Sequence, residues 1–293
     1  MYLKDIKKEI QDWIEEEERA GRGVDENRLN QYLQLLMIRR NNTPRDDFNG
    51  LSPEQMHHIM YHPFGSQCVV GINTLTKEQY EKIPLVRQTL FLLNTLSINE
   101  LKLNKNGWLL PKIVAEIYHL GQPEWLVEEY GAKRYYEYEV CSVWMARIIL
   151  DHLGWIKMRK GVLSITIKGK KALSNIDAAA NEILRFSLEE VGVHIFDGVE
   201  DDRIGNVGLA YSVWLLNKFG SEWNTGDFYE KEYQKVFKFT SDYGIYETRV
   251  LERLFYWLGI VEQRLNRQIG PPFEEEYKKT DLLTVVFSFR KVL

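Results

Sequence analysis

The sequence predicts a mostly helical α+β protein: N-terminal helices, then two similar units that each close in a small β-hairpin. Three observations carry this expectation. Apolar residues recur at three- and four-residue spacing through much of the chain, which is the helical period. Two segments, ARIILDHLGWIKMR (146–159) and LERLFYWLGIVEQR (251–264), align without a gap 105 positions apart. In both, an apolar helix stops at a glycine, the residue that most easily takes the left-handed conformation of a helix C-cap, and a short alternating strand follows.

Leu3, Ile6, Ile10, Trp13 and Ile14 make one apolar stripe, which predicts a helix over 2–19. The run Glu15 to Glu18 reads as its solvated face. Gly21 and Gly23 end it, and Leu29, Tyr32, Leu33, Leu36 and Met37 mark a second helix over 27–40. NNTPRDDFNG (41–50) has the composition of a linker. In LSPEQMHHIMYHPF (51–64), Ser52 suits an N-cap, Pro53 the first helical position, and Gln55 the third residue of a capping box. A short helix ending before Pro63 follows. Thr76 and Gln79 repeat the capping pattern. Pro84 opens an apolar helix through 96, and Pro111 another through 120. Tyr130, Tyr135, Tyr136 and Tyr138 cluster, a pattern that marks either a partner surface or packing, with packing the expected reading.

Three of the six histidines, His57, His58 and His62, fall on the short helix. His58 and His62 stand four apart and share a face, the spacing at which two helical imidazoles can ligate one metal. Such a site needs further ligands, and His119, His152 and His194 lie in unrelated segments. The expectation is no metal site and no cofactor, with His58 and His62 the nearest approach to one.

The division expected is an N-terminal helical region (1–45), a helical linker region (51–97), a first unit (98–175) and a second (176–293). After the first strand, Lys160-Gly161 signals a turn, and VLSITIKG reads as β-rich. After the second comes a longer loop with Pro271 and Pro272, then LLTVVFSF (282–289) as the expected return strand. Upstream, WLLPKIVAEIYHLG (108–121) pairs with VGLAYSVWLLNKFG (207–220), both apolar helices ending in glycine. Helix, helical segment, helix, hairpin is the winged-helix order, so two winged-helix-like units are expected.

GWIKMRKGVLSITIKGKKAL resembles the wing of bacterial winged-helix proteins. LSPEQMHHIMYHPF, IPLVRQTLFLL and LKLNKNGWLLPKIVAEIYHLG resemble a group of uncharacterised bacterial proteins with tandem winged-helix-like domains. The resemblance covers about residues 50 to 175 and, more weakly, the remainder, and implies a fold, not a reaction. It departs at Asn106-Gly107-Trp108-Leu109-Leu110-Pro111, where the group carries threonine-glycine-asparagine-leucine-proline.

Catalytic signatures are missing: there is no Walker loop, no GxGxxG after a strand, no GxSxG and no CxxC. Cys68 and Cys141 sit among apolar neighbours, against a disulfide framework. Asp197, Glu200, Asp201 and Asp202 gather in DGVEDDR, but without calcium-loop spacing, so a solvated loop is expected. The first residues are too charged for a signal peptide, and no run approaches a membrane span, so a cytoplasmic protein is expected.

A net charge of -4 excludes a basic nucleic-acid-binding chain overall. Locally the balance reverses. Lys157, Arg159, Lys160, Lys168, Lys170 and Lys171 fall between Trp155 and Lys171 with no acid among them. The preceding helix, VCSVWMARIILDHLG, is apolar and offers Arg147 as its base-reading candidate. The second copy is mixed: Arg249, Arg253, Arg264 and Arg267 stand against Glu247, Glu252 and Glu262. The expected function is a non-enzymatic interaction or scaffolding module with a protein partner. The alternative is nucleic-acid binding, as in a transcription regulator, through the basic stretch 155–171, without sequence preference.

Overall fold

The computed structural model describes residues 2–124, 127–128, 131, 133–190, 192–239, 244–266 and 274–290. Tyr130, Arg267, Pro271 and Pro272 lie outside them. Among the described residues the protein is mostly helical, with three small antiparallel sheets. It divides into two compact units, Met1–His57 and His58–Lys291, the division falling inside one helix. No helix of the described residues is long and apolar enough to cross a membrane.

The first unit holds α1 (Tyr2–Arg19) and α2 (Glu26–Asn42), joined by a short turn. Trp13 stacks on Tyr32 at 4.2 Å, closing the seam between the helices. The acidic run is not all solvated: Glu17 is buried, held by Arg22 at 2.8 Å and by Arg28. Its neighbours Glu15, Glu16 and Glu18 are exposed. The expected linker carries a 3₁₀ turn at Asp46–Phe48. The expected cap of α3 (Pro53–Tyr61) is present, with Ser52 Oγ accepting from the Gln55 N–H at 3.2 Å and Gln55 Oε1 accepting from the Ser52 N–H at 2.8 Å.

In the second unit, β1 (Val70–Ile72) and α4 (Lys77–Tyr80) lead to α5 (Pro84–Ile98), β2 (Leu101–Lys102), α6 (Pro111–Tyr118) and α7 (Cys141–His152). The hairpin β3 (Ile156–Arg159) and β4 (Val162–Ile165) follows. Next come α8 (Ile167–Leu173), α9 (Ile176–Glu189) and a 3₁₀ turn at Val193–Phe196. The order then recurs: α10 (Leu209–Phe219), β5 (Asn224–Thr225), α11 (Gly226–Gln234), a π-helix (Glu247–Phe255), β6 (Val261–Asn266) and β7 (Glu274–Lys279). The chain ends in α12 (Leu282–Val286) and β8 (Phe287–Phe289).

The two sets share one sheet plan. Strand order is β2-β4-β3 in the first and β5-β7-β6 in the second, so the last strand lies in the middle each time. The glycine ends match bond for bond. Gly154 and Gly259 take φ of 68° and 72°. Trp155 N–H reaches back to Leu150 and Gly154 to Asp151; Ile260 reaches Phe255 and Gly259 Tyr256, the paired bonds of a Schellman cap. Past each hairpin a threonine closes the loop. Thr166 donates to the Gly154 carbonyl at 2.8 Å, and Thr280 to that of Gly259 at 2.7 Å.

Several sequence expectations shift. The stretch SITIKG does not continue as strand, because Thr166 caps α8 by accepting from the Gly169 N–H. Lys168, Lys170 and Lys171 are therefore on a helix rather than on the hairpin. LLTVVFSF is not the return strand of the second hairpin; EEEYKK (β7) is, with Tyr277 buried. LLTVV forms α12, the counterpart of α8, and FSF pairs with β1, Val70 opposite Phe289. In the upstream pairing, α6 follows β2 whereas α10 precedes β5, so the helix equivalent to α10 is α5.

Candidate functional site

The basic segment 155–171 is marked by charge alone. Lys160 and Gly161, at φ 51° and 72°, make the two-residue turn that right-twisted hairpins favour. Partners across an antiparallel ladder share a face. Arg159 is opposite Val162, and Val162 is opposite Lys102 on β2; Lys157, opposite Ser164, lies two residues from Arg159 and shares that face. The sheet thus adds Lys102 to the cations read from sequence. From strand geometry, Lys102 lies about 10 Å from Arg159, and Lys157 about 7 Å. Lys157, Arg159, Lys160, Lys168, Lys170 and Lys171 are all exposed. Among the described residues none of the six forms an ion pair with a carboxylate.

Arg147 does not join them. Its guanidinium donates to the Gly107 carbonyl at 2.9 Å and pairs with the fully buried Glu137 carboxylate at 2.9 Å. Burial raises the Glu137 carboxyl, and Arg147 together with the Leu109 N–H pulls the other way. The other residues of α7 around the cleft beside it are Trp144, Ile148, Asp151 and His152.

The third helices of the two sets are linked by a run of rings packed edge to face. Trp108 meets Trp144 of α7 edge-on at 5.2 Å, Trp144 meets Phe196 at 5.2 Å, and Phe196 meets Trp257, just past the π-helix, at 5.5 Å. Arg253 of the π-helix pairs with Asp197 at 3.3 Å. Asp197 also binds Arg249 through both oxygens, at 2.7 and 2.9 Å. The DGVEDDR stretch is thus a clamp around a buried arginine rather than a solvated loop. Glu124 caps α7 from the same side, accepting from the Cys141 and Ser142 N–H groups at 2.9 Å each. Burial raises its carboxyl, and burial with the Glu124 charge pushes the Cys141 thiol up to about 11.

Glu247, Glu252 and Glu275 bring carboxylate oxygens within 4.8 Å of one another, the one such group among the described residues with ligand atoms close enough for a single ion. The π winding causes this. At 3.6 residues per turn, positions five apart point about 140° apart, whereas i and i+5 stack in a π-helix. Tyr277 donates to Glu275 at 3.0 Å. Burial, with the charges of Glu252 and Glu275 adding, pushes the Glu247 carboxyl up to about 7. The histidine pair is less assembled. His58 is half-buried, His62 exposed, and their rings lie 6.1 Å apart. Among the described residues no third ligand group completes a site with them.

The sequence offered little warning of the ring ladder, because its members come from four separate segments. Lys102 was more accessible: the alternation in LKLNK marks a short strand. Compared with known proteins, the chain matches no family model, no curated protein and no solved structure.

Proposed function

We propose that the chain is a tandem winged-helix-like interaction module whose partner is a protein rather than a base sequence. The helix order and the shared sheet plan support two winged-helix-like units. The ring ladder from Trp144 through Phe196 to Trp257 carries the interaction reading. It engages α7 and the end of the π-helix with each other, and base reading needs polar side chains offered to a groove. The internal pairing of Arg147 removes the base-reading candidate of α7.

One observation favours a second reading, sequence-independent contact with nucleic-acid phosphates. Among the described residues the six exposed cations of 157–171 form no ion pair with a carboxylate, on a chain of net charge -4. Fluorescence anisotropy with a labelled random-sequence duplex separates the two. Four phosphate contacts would give a log–log salt slope of roughly -3.6. The interaction reading predicts no saturable binding at moderate salt. Saturable binding with that slope, lost in a Lys157→Glu/Arg159→Glu variant that melts like wild type, would move the assignment to the phosphate reading.

A further inference from the structure

A cavity of about 690 Å³ lies beside the ring ladder. That is within the range of roughly 300–1,000 Å³ typical of small-molecule sites. Its aromatic walls are Tyr135, Tyr136, Tyr138 and Phe196. The rings brace one another and their neighbours: Tyr135 packs on Tyr118 at 5.1 Å, Tyr136 and Tyr138 stack on each other at 5.6 Å, and Phe196 is held between Trp144 and Trp257. Among the described residues, the charges lining it are Lys133, Arg134 and Arg253 against the carboxylate of Glu139. Arg253 shares Asp197 with Arg249, which already binds both of its oxygens, and also feels the charges of Glu124 and Glu252. Its guanidinium lies over the Phe196 ring, and Lys133 and Arg134 make the described lining net positive.

We propose that this cavity binds a small aromatic anion, a carboxylate or sulfonate on a flat ring system. Flat rings suit walls of fixed phenyl and phenol faces. A carboxylate or sulfonate suits a guanidinium fork, which presents paired donors in one plane. A neutral ring would leave the cationic excess without a partner, and an organic cation would be repelled by it. The walls come from the segment before α7, the 3₁₀ turn and the π-helix, so an occupant ties both helix sets together.

The test uses the full chain and two dyes with the same ring skeleton. Anilinonaphthalene sulfonate is the anionic probe, and phenylnaphthylamine its neutral counterpart. The proposal predicts saturable, single-site fluorescence enhancement by the sulfonate, with the neutral dye bound at least about tenfold more weakly. Lys133→Glu/Arg134→Glu, at two exposed positions, weakens the sulfonate by a similar factor without changing the melting temperature. Absence of saturable enhancement, equal affinity for both dyes, or an unchanged affinity in the charge-reversed variant would each overturn it.

Discussion

Replacing Asp197 by alanine strikes a buried charge directly. The Arg249 side chain is fully buried, and all five of its N–H donors are used: two on Asp197, the others on the carbonyls of Val199, Asp201 and Ile204. Asp197→Ala leaves the guanidinium buried with neutral acceptors only. Breaking a buried pair on one side costs about 3–5 kcal/mol, because the remaining charge is uncompensated. For a unit of this size that corresponds to a fall in melting temperature of roughly 6–20 °C. The acid side supplies a second readout. Burial alone would raise the Asp197 carboxyl, but Arg249, the Val199 N–H and Arg253 outweigh it and hold it below the usual range. A depressed carboxyl stabilises the fold above its unfolded value of about 3.9, and that contribution is lost as pH falls through the folded value. Urea unfolding at pH 7 and in mild acid is the assay. The gap between wild type and Asp197→Asn is expected to close as pH falls. A loss below about 1 kcal/mol for Asp197→Ala at pH 7 would refute the clamp.

Other substitutions probe different parts of the account. Phe196→Ala removes the ring between Trp144 and Trp257; since Phe196 is half-buried, a loss of about 1–3 kcal/mol and a weakened near-ultraviolet aromatic signal are expected, and an unchanged spectrum would count against the ring packing. Gly169→Ala brings a methyl within 2.2 Å of the Trp155 carbonyl, so a cost of about 1–3 kcal/mol is expected in thermal melts, and a neutral result would contradict the close packing of α8. Glu247, with its carboxyl raised to about 7, stabilises the fold at low pH and loses that contribution as pH rises through its folded value. Glu247→Gln should therefore exceed wild type in stability at pH 8, by up to roughly 3 kcal/mol, and match it near pH 4; a pH-independent difference would exclude a raised carboxyl there.

Much of the helical framework could be read from local chemistry. The caps at Ser52 and Thr76 rest on residues within four positions of one another, and the glycine ends at Gly154 and Gly259 on a single backbone preference. The return strand of the second hairpin could not be read the same way. EEEYKK has poor strand propensity, but Arg264 pairs with Glu276 across the ladder and Tyr277 fills the core. The β-branched run LLTVV was free to take a helix, since tertiary context overrides strand propensity. Of the candidate site, the basic residues were legible as composition, while their separation between a sheet face and α8 was not. The clamp on Arg249 and the ring ladder join positions about 50 or more residues apart, which periodicity and motif spacing do not encode.

Native-state hydrogen exchange of α7 and the π-helix reads whether the third helices of the two sets are engaged with each other. Their amides are expected to open in one cooperative event, with Phe196→Ala accelerating both together. Independent opening of the two helices, with Phe196→Ala leaving either one unchanged, would contradict it.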